Sequence, residues 1–199
     1  MAITGLSNLY VAKYAFAEGA VTYTEALKVG KAREANITIN SATDNDLYGD
    51  NEIAETDRRF QSGTITLSTT DLSQEASAMI LGITPVALES IPGVTDENVM
   101  ELNYDDDLSQ PYLGVGFVIR KRVNGKDLWR PVVLTRVMFQ VPEDAAVTEE
   151  GGNISWQVPT ITGTILRDET EKHRWKRESL LSTEAQAVAY VKYRLGAAA

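Results

Sequence analysis

Asn124 and Gly125 stand between two long runs of apolar character, LGVGFVIRKRV before them and KDLWRPVVLTRVMF after. An Asn-Gly pair accepts the positive φ that a type I′ turn needs at both central positions, and that turn carries the twist of two flanking antiparallel strands. The chain is committed here to a β-hairpin, and with it to an antiparallel sheet. The two-residue period recurs elsewhere. In ANITIN, Ala35, Ile37 and Ile39 point one way and Asn36, Thr38 and Asn40 the other; in GTITLST, Ile65 and Leu67 point inward. NISWQVPTITGTILR, after an acidic turn at 149–152, reads as a further pair in which Ile161, Gly163 and Ile165 share a face. Gly114 and Gly116 lie inside a strand with no helix after them, so they mark close backbone packing rather than a phosphate loop. Pro131 predicts a bulge or an edge on the return strand.

Two segments switch to the helical period. In TDLSQEASAMILG, Asp71 can cap with Gln74 three residues on, Leu72, Ala76, Met79 and Ile80 recur on one face, and Gly82 stands where a C′ residue belongs. This predicts a helix of about three turns lying against the sheet. From Thr183, which with Gln186 forms a capping box, a second helix is predicted, with Ala185, Val188, Ala189 and Tyr193 on one face and Gly196 beyond its end. Residues 84–111 are irregular, with one short strand around 99–103. Asp105, Asp106 and Asp107 read as a solvated turn, since three adjacent acids splay in direction. The fold class predicted is mainly β (α+β), a β-sandwich or barrel-like domain spanning 1–199 with one flanking helix, a long inter-strand loop and a C-terminal helix.

Composition narrows the chemistry. With no cysteine there are no disulfides, no thiolate nucleophile and no Cys-ligated metal, and the single histidine, His173, lies in the charged run TEKHRWKRE as an expected surface residue. No nucleophile, base and oxyanion donor can be assembled from named residues, so neither an enzyme nor a cofactor is expected. The longest apolar run, GVGFVI, falls far short of a membrane-spanning helix, and MAITGLSNLY lacks the pattern of a secretion signal, so a soluble, cytoplasmically made chain is expected. A formal charge of -9 disfavours sequence-reading of nucleic acid. The basic runs RKR (120–122) and HRWKR (173–177) are expected to solvate turns, with Trp175 a core or interface aromatic rather than a base-stacking platform.

DNDLYGDNEIAE, residues 44–55, comes near the ligand spacing of a calcium-binding EF-hand loop, with acids or amides at its first, third, seventh and ninth places, glycine at the sixth and glutamate at the twelfth. An EF-hand loop sits between two helices, whereas this one has strands on both sides, Tyr48 at its fifth place and Asn51 at its eighth. The stretch 43–59 therefore reads as a long solvated loop without helical stripe or sustained alternation. Loops of that length in compact domains are usually functional.

The colinear pieces GLSNLYVAKY with VTY, LYGDNEIAET, DLSQEASAMILG, PYLGVGFVIRKRVNGK and WRPVVLTRVMFQVPEDAAVTEEGGNISWQVPTITGTI cover roughly residues 5–167. In this order they resemble the major tail proteins that build the tail tube of long-tailed, non-contractile bacteriophages. The stretch 168–199 has no firm counterpart there. The resemblance implies a structural virion protein, made in the host bacterial cytoplasm, that closes into hexameric rings and stacks into a hollow tube for DNA ejection. Sheets of neighbouring subunits would join to line the channel, an acidic wall would keep passing double-stranded DNA from sticking, and no membrane is involved. Tape-measure, distal tail and tail-terminator proteins would be its other partners. The loop 43–59 would reach the next ring, with Asp44, Asp46, Asp50, Glu52, Glu55 and Asp57 as its polar surface, Tyr48 and Ile53 as anchors, and Arg58 and Arg59 to pair with acids across the boundary. A type VI secretion-like tube protein, and a non-viral acidic β-sandwich that binds carbohydrate or peptide, with or without calcium, are the alternatives.

Overall fold

Strands β1 (Ala2–Ala17) and β2 (Ala20–Lys28) form the first hairpin, and β3 (Ala32–Ser41) leads through a short pair, β4 (Asp46–Gly49) and β5 (Glu52–Thr56), into β6 (Phe60–Thr69). Helix α1 (Gln74–Leu81) follows, then β7 (Val86–Leu88), β8 (Val99–Glu101), β9 (Leu113–Val123), β10 (Lys126–Phe139), β11 (Thr160–Leu166), β12 (Lys176–Glu178) and helix α2 (Glu184–Arg194). This computed structural model describes residues 2–41, 46–50, 52–56, 59–88, 91–96, 98–142 and 158–197. The protein is mainly β, as expected. One antiparallel sheet runs β2-β1-β9-β10-β11-β6-β3, with β12 added beside β10. The sheet curls: Cα atoms of β1 and β3 approach within 8 Å although β9, β10, β11 and β6 separate them along the ladder.

The Asn124-Gly125 turn closes β9 onto β10 as the residues demand, with φ of 50° and 79° and Val123 paired to Lys126. Both strands are buried on both faces over much of their length, which is why their apolar runs are nearly continuous rather than alternating. Leu113, Val115, Phe117, Val132 and Leu134 face the concave interior with Leu9, Val11, Ile65, Leu67, Ile161 and Ile165, and α1 closes that core with Ala76, Ile80 and Leu81. Burial of side chains this size contributes about 1.5–3 kcal/mol each. On the convex face Ala12, Val118 and Val133 meet α2 through Ala187, Val191 and Leu195. The two strand glycines make that docking feasible: a Cβ on Gly116 would lie 2.6 Å from Val191 Cγ1, and one on Gly114 would collide with the Tyr23 ring and approach Leu195 Cδ2 to 2.9 Å.

Several expectations need correction. Helix α1 is capped by Ser73, whose hydroxyl accepts from Ala76 N, and not by Asp71; it has 8 residues, although Gly82 does end it with φ 74°. Thr183 caps α2 by accepting from Gln186 N, but the Gln186 side chain accepts from the Ser182 hydroxyl instead of completing the box. Ala185, Val188, Ala189 and Tyr193 do share a face of α2, but Ala185, Ala189 and Tyr193 on it are exposed, and the helix meets the sheet through Ala187, Val191 and Leu195. Residues 84–111 hold two short paired strands, Val86–Leu88 with Val99–Glu101, where one was expected. Pro131 lies at neither an edge nor a bulge. It falls between the Trp129–Leu181 bridge and the Val132–Glu178 pair, where its carbonyl accepts from Ser179 N, so its missing N–H meets only an interrupted ladder. The expected turn at 149–152 lies outside the described residues, but Ile161, Gly163 and Ile165 are buried together as read.

Candidate assembly surfaces

The acidic stretch between β3 and β6 is not featureless. Ser41 pairs with Phe60 at the end of the β3–β6 ladder, and beyond it Asp46, Leu47, Tyr48 and Gly49 pair with Thr56, Glu55, Ile53 and Glu52 in a two-stranded sheet of its own. Asp50 closes that hairpin with φ 51°, a conformation that Asp tolerates better than most side chains. The expected long loop thus holds a short hairpin despite its lack of sustained alternation, because a short twisted pair needs only a turn residue and a few cross-strand partners. The described part of 44–55 is thus paired as a hairpin, unlike the helix-flanked loop of an EF-hand.

Of the residues expected in the arm, Asp46 and Tyr48 are in β4, and Glu52, Ile53 and Glu55 are in β5. Tyr48 and Ile53 occupy opposite register positions. Asp50 is exposed at the turn and Arg59 is exposed just before β6. Asp44, Asp57 and Arg58 lie outside the described residues. Among the described residues β4 and β5 make no extended contact with β2, β12 or α2 of the same chain, so the pair stands as an appendage on the β3–β6 hairpin.

A second surface was not anticipated. Residues 168–174 form a tight loop organised by Asp168, whose Oδ1 accepts from Arg174 N (2.8 Å) and the Thr170 hydroxyl (2.7 Å) while its backbone N donates to Arg174 O. His173 is exposed, as read, and supports the loop with a positive φ of 46°. Arg136 pairs with Glu169 at 2.8 Å and lies 3.8 Å over the Tyr112 ring, with Tyr14 alongside. Trp175 stacks on Phe60 at 4.4 Å against the inner core, the core role expected of it, so its ring is not presented to a base. The stretch 168–197 is thereby built into the sheet rather than trailing from it.

Where this segment meets α2, Tyr23, Val21, Val133, Arg177, Tyr193 and Arg194 line a pocket of about 250 Å³. Burial pushes the Tyr23 phenol well above the usual tyrosine range, against the pull of the Arg177 charge, and its hydroxyl donates to Thr135 O at 2.8 Å. Beside it a groove of about 660 Å³ runs along the outward face of α2, lined by Ala185, Val188, Ala189, Tyr193 and Ala197 together with the polar Asn8, Glu184 and Lys192. The only sequence signal for these features was the run HRWKR, which reads as a solvated turn until β12 places Arg177 against α2.

No protein-family model matches the chain, and no curated protein matches it at a significant level. What the geometry defines is a mainly-β chain with a detached acidic hairpin and an exposed strand edge.

Proposed function

We propose that this chain is a structural subunit of a phage tail tube, closing into rings and stacking into a conduit for DNA, and not an enzyme. The observation that carries the reading is the β4–β5 hairpin, which lies beyond the end of the β3–β6 ladder as a sheet of its own and joins no other strand among the described residues. A detached polar hairpin of this kind serves a contact outside its own domain, and the resemblance assigns it to the neighbouring ring. Strand β2 supports the lateral contact: it is 9 residues long, largely exposed, and among the described residues pairs only with β1, so its outer edge offers a ladder to a neighbouring sheet. A formal charge of -9 per subunit favours a channel wall that repels phosphate, because DNA gains affinity from each cation it meets. In this reading the protein is made in the bacterial cytoplasm and ends in the virion tail, with tape-measure, distal tail and tail-terminator proteins as partners.

Negative-stain microscopy of concentrated protein, alone and with its tail-tip and tape-measure partners, tests this. The expected result is tubes about a hundred ångströms wide, the scale of a ring of six such domains. Deleting 44–57 is expected to leave a folded, soluble subunit that forms no tubes. A chain that stays monomeric under all these conditions would overturn the reading, and normal tubes from the deletion would remove the hairpin from stacking.

A further inference from the structure

The pocket at the foot of α2 concentrates positive charge in a chain that is acidic as a whole. Arg177 and Arg194 both line it, and no acidic residue is among its described lining. Among the described residues neither guanidinium makes an ion pair, and Arg194 Nε is buried without a hydrogen-bond partner. Arg194 is instead held over the rings of Tyr190 and Tyr193, at 5.3 and 5.5 Å. An arginine held in place by aromatic faces and left without its anion is prepared for a carboxylate, which it can take in two parallel N–H···O bonds. Tyr193, 77% exposed, separates this pocket from the apolar groove on the outward face of α2. A ligand for the whole surface must present carboxylates next to compact apolar side chains.

We propose that this surface receives the acidic β4–β5 hairpin of a second copy of the chain. The proposal rests on the tube reading above and names the receptor for its arm. Charge complementarity carries it: Asp46, Glu52 and Glu55 lie on one short pair with Tyr48 and Ile53 at facing positions, which matches a pocket of two arginines beside a groove where Ala185, Val188 and Ala189 are joined by the cation of Lys192, while the one acid in its described lining, Glu184, is already engaged by Ser7 and Asn8. Among the described residues the hairpin makes no extended contact with α2 or β12 of its own chain, which leaves this surface open to the hairpin of another subunit. Duplex DNA would offer anions without the apolar partner, and its approach is opposed by the net charge.

The test reverses the charges. Arg177→Glu with Arg194→Glu, checked for an unchanged melting temperature, is expected to weaken ring stacking about tenfold or more in sedimentation, and adding Glu52→Arg and Glu55→Arg to the same chain is expected to restore it. Should the reversed chain unfold, Arg177→Gln with Arg194→Gln takes its place, with the same loss expected. Wild-type stacking by the folded reversed or neutralised variant overturns the pocket assignment and leaves the tube reading intact. If the unaltered chain forms no tubes, the tube reading falls, and the pocket is tested by pull-down of intact chain on the tagged 44–57 deletion: capture abolished by the arginine changes in the deleted chain supports it, and undiminished or absent capture overturns it. Labelled duplex DNA that binds at this pocket and displaces the intact chain also overturns it.

Discussion

Single residues fix how the sheet and α2 meet. Tyr23 is the clearest case, because folding removes its phenol from water and so favours the protonated form. Its folded pKa lies above the unfolded value near 10, so this contribution to stability is complete below about pH 10 and is lost as pH rises from there. Urea unfolding between about pH 9 and 12 is expected to show a steeper loss for the unaltered protein than for Tyr23→Phe, which cannot ionise but gives up the hydrogen bond to Thr135 O. Gly116 sets the approach of the helix. Gly116→Ala is expected to lower stability by about 1–3 kcal/mol in chemical denaturation, since the added methyl must displace Val191 and Leu195. Local chemistry of this sort was partly legible: Gly82, Thr183, Asn124 and Gly125 do what their residue types announce. Ser73 in place of Asp71 as the α1 cap was not, because both are good caps and the choice depends on where the chain leaves β6.

At the scale of elements, the β9–β10 hairpin was legible because turn chemistry and apolar pattern agree. Replacing Asn124 and Gly125 with valines places β-branched residues at φ of 50° and 79°, each costing on the order of 1–3 kcal/mol, so the melting temperature is expected to fall by many degrees. An unchanged transition would show that the turn does not hold the register. The Glu18-Gly19 turn between β1 and β2 has the same backbone signature, with φ of 50° and 75°, but glutamate is not a residue that advertises a positive φ. The β4–β5 pair escaped notice for a related reason: its strands are too short to show a period, and its polar composition resembles that of a solvated loop. Which face of α2 meets the sheet is not legible in the sequence, because both sides carry small apolar residues. What seats Val191 and Leu195 is the notch at Gly114 and Gly116, far back along the chain.

Over the whole molecule, two apolar cores lie on opposite faces of one curled sheet, and they need not contribute equally to folding. The inner core joins α1 with β1, β6, β9, β10 and β11 and holds most of the large buried side chains, whereas the outer one covers Ala12, Val118 and Val133 chiefly with α2 and Leu195, with Tyr23, Trp129 and Leu181 at its margin. Helix α2 is also tied at its start, where Glu184 accepts from the Ser7 hydroxyl and the Asn8 amide, both at 2.9 Å. Removing residues 183–199 therefore strips the convex face while leaving the inner core its full set of partners. The truncated chain is expected to keep a single cooperative unfolding transition with a lower midpoint, and to bind a hydrophobic dye at the uncovered patch. Loss of cooperative unfolding would mean that α2 belongs to the folding core and is not a cover laid over it. Since α2 also supplies Arg194, Tyr193 and the apolar groove, the same truncation is expected to abolish stacking while the β2 edge stays available for lateral pairing. Electron micrographs of that variant should then show isolated rings, a product that distinguishes loss of the longitudinal contact from loss of the fold.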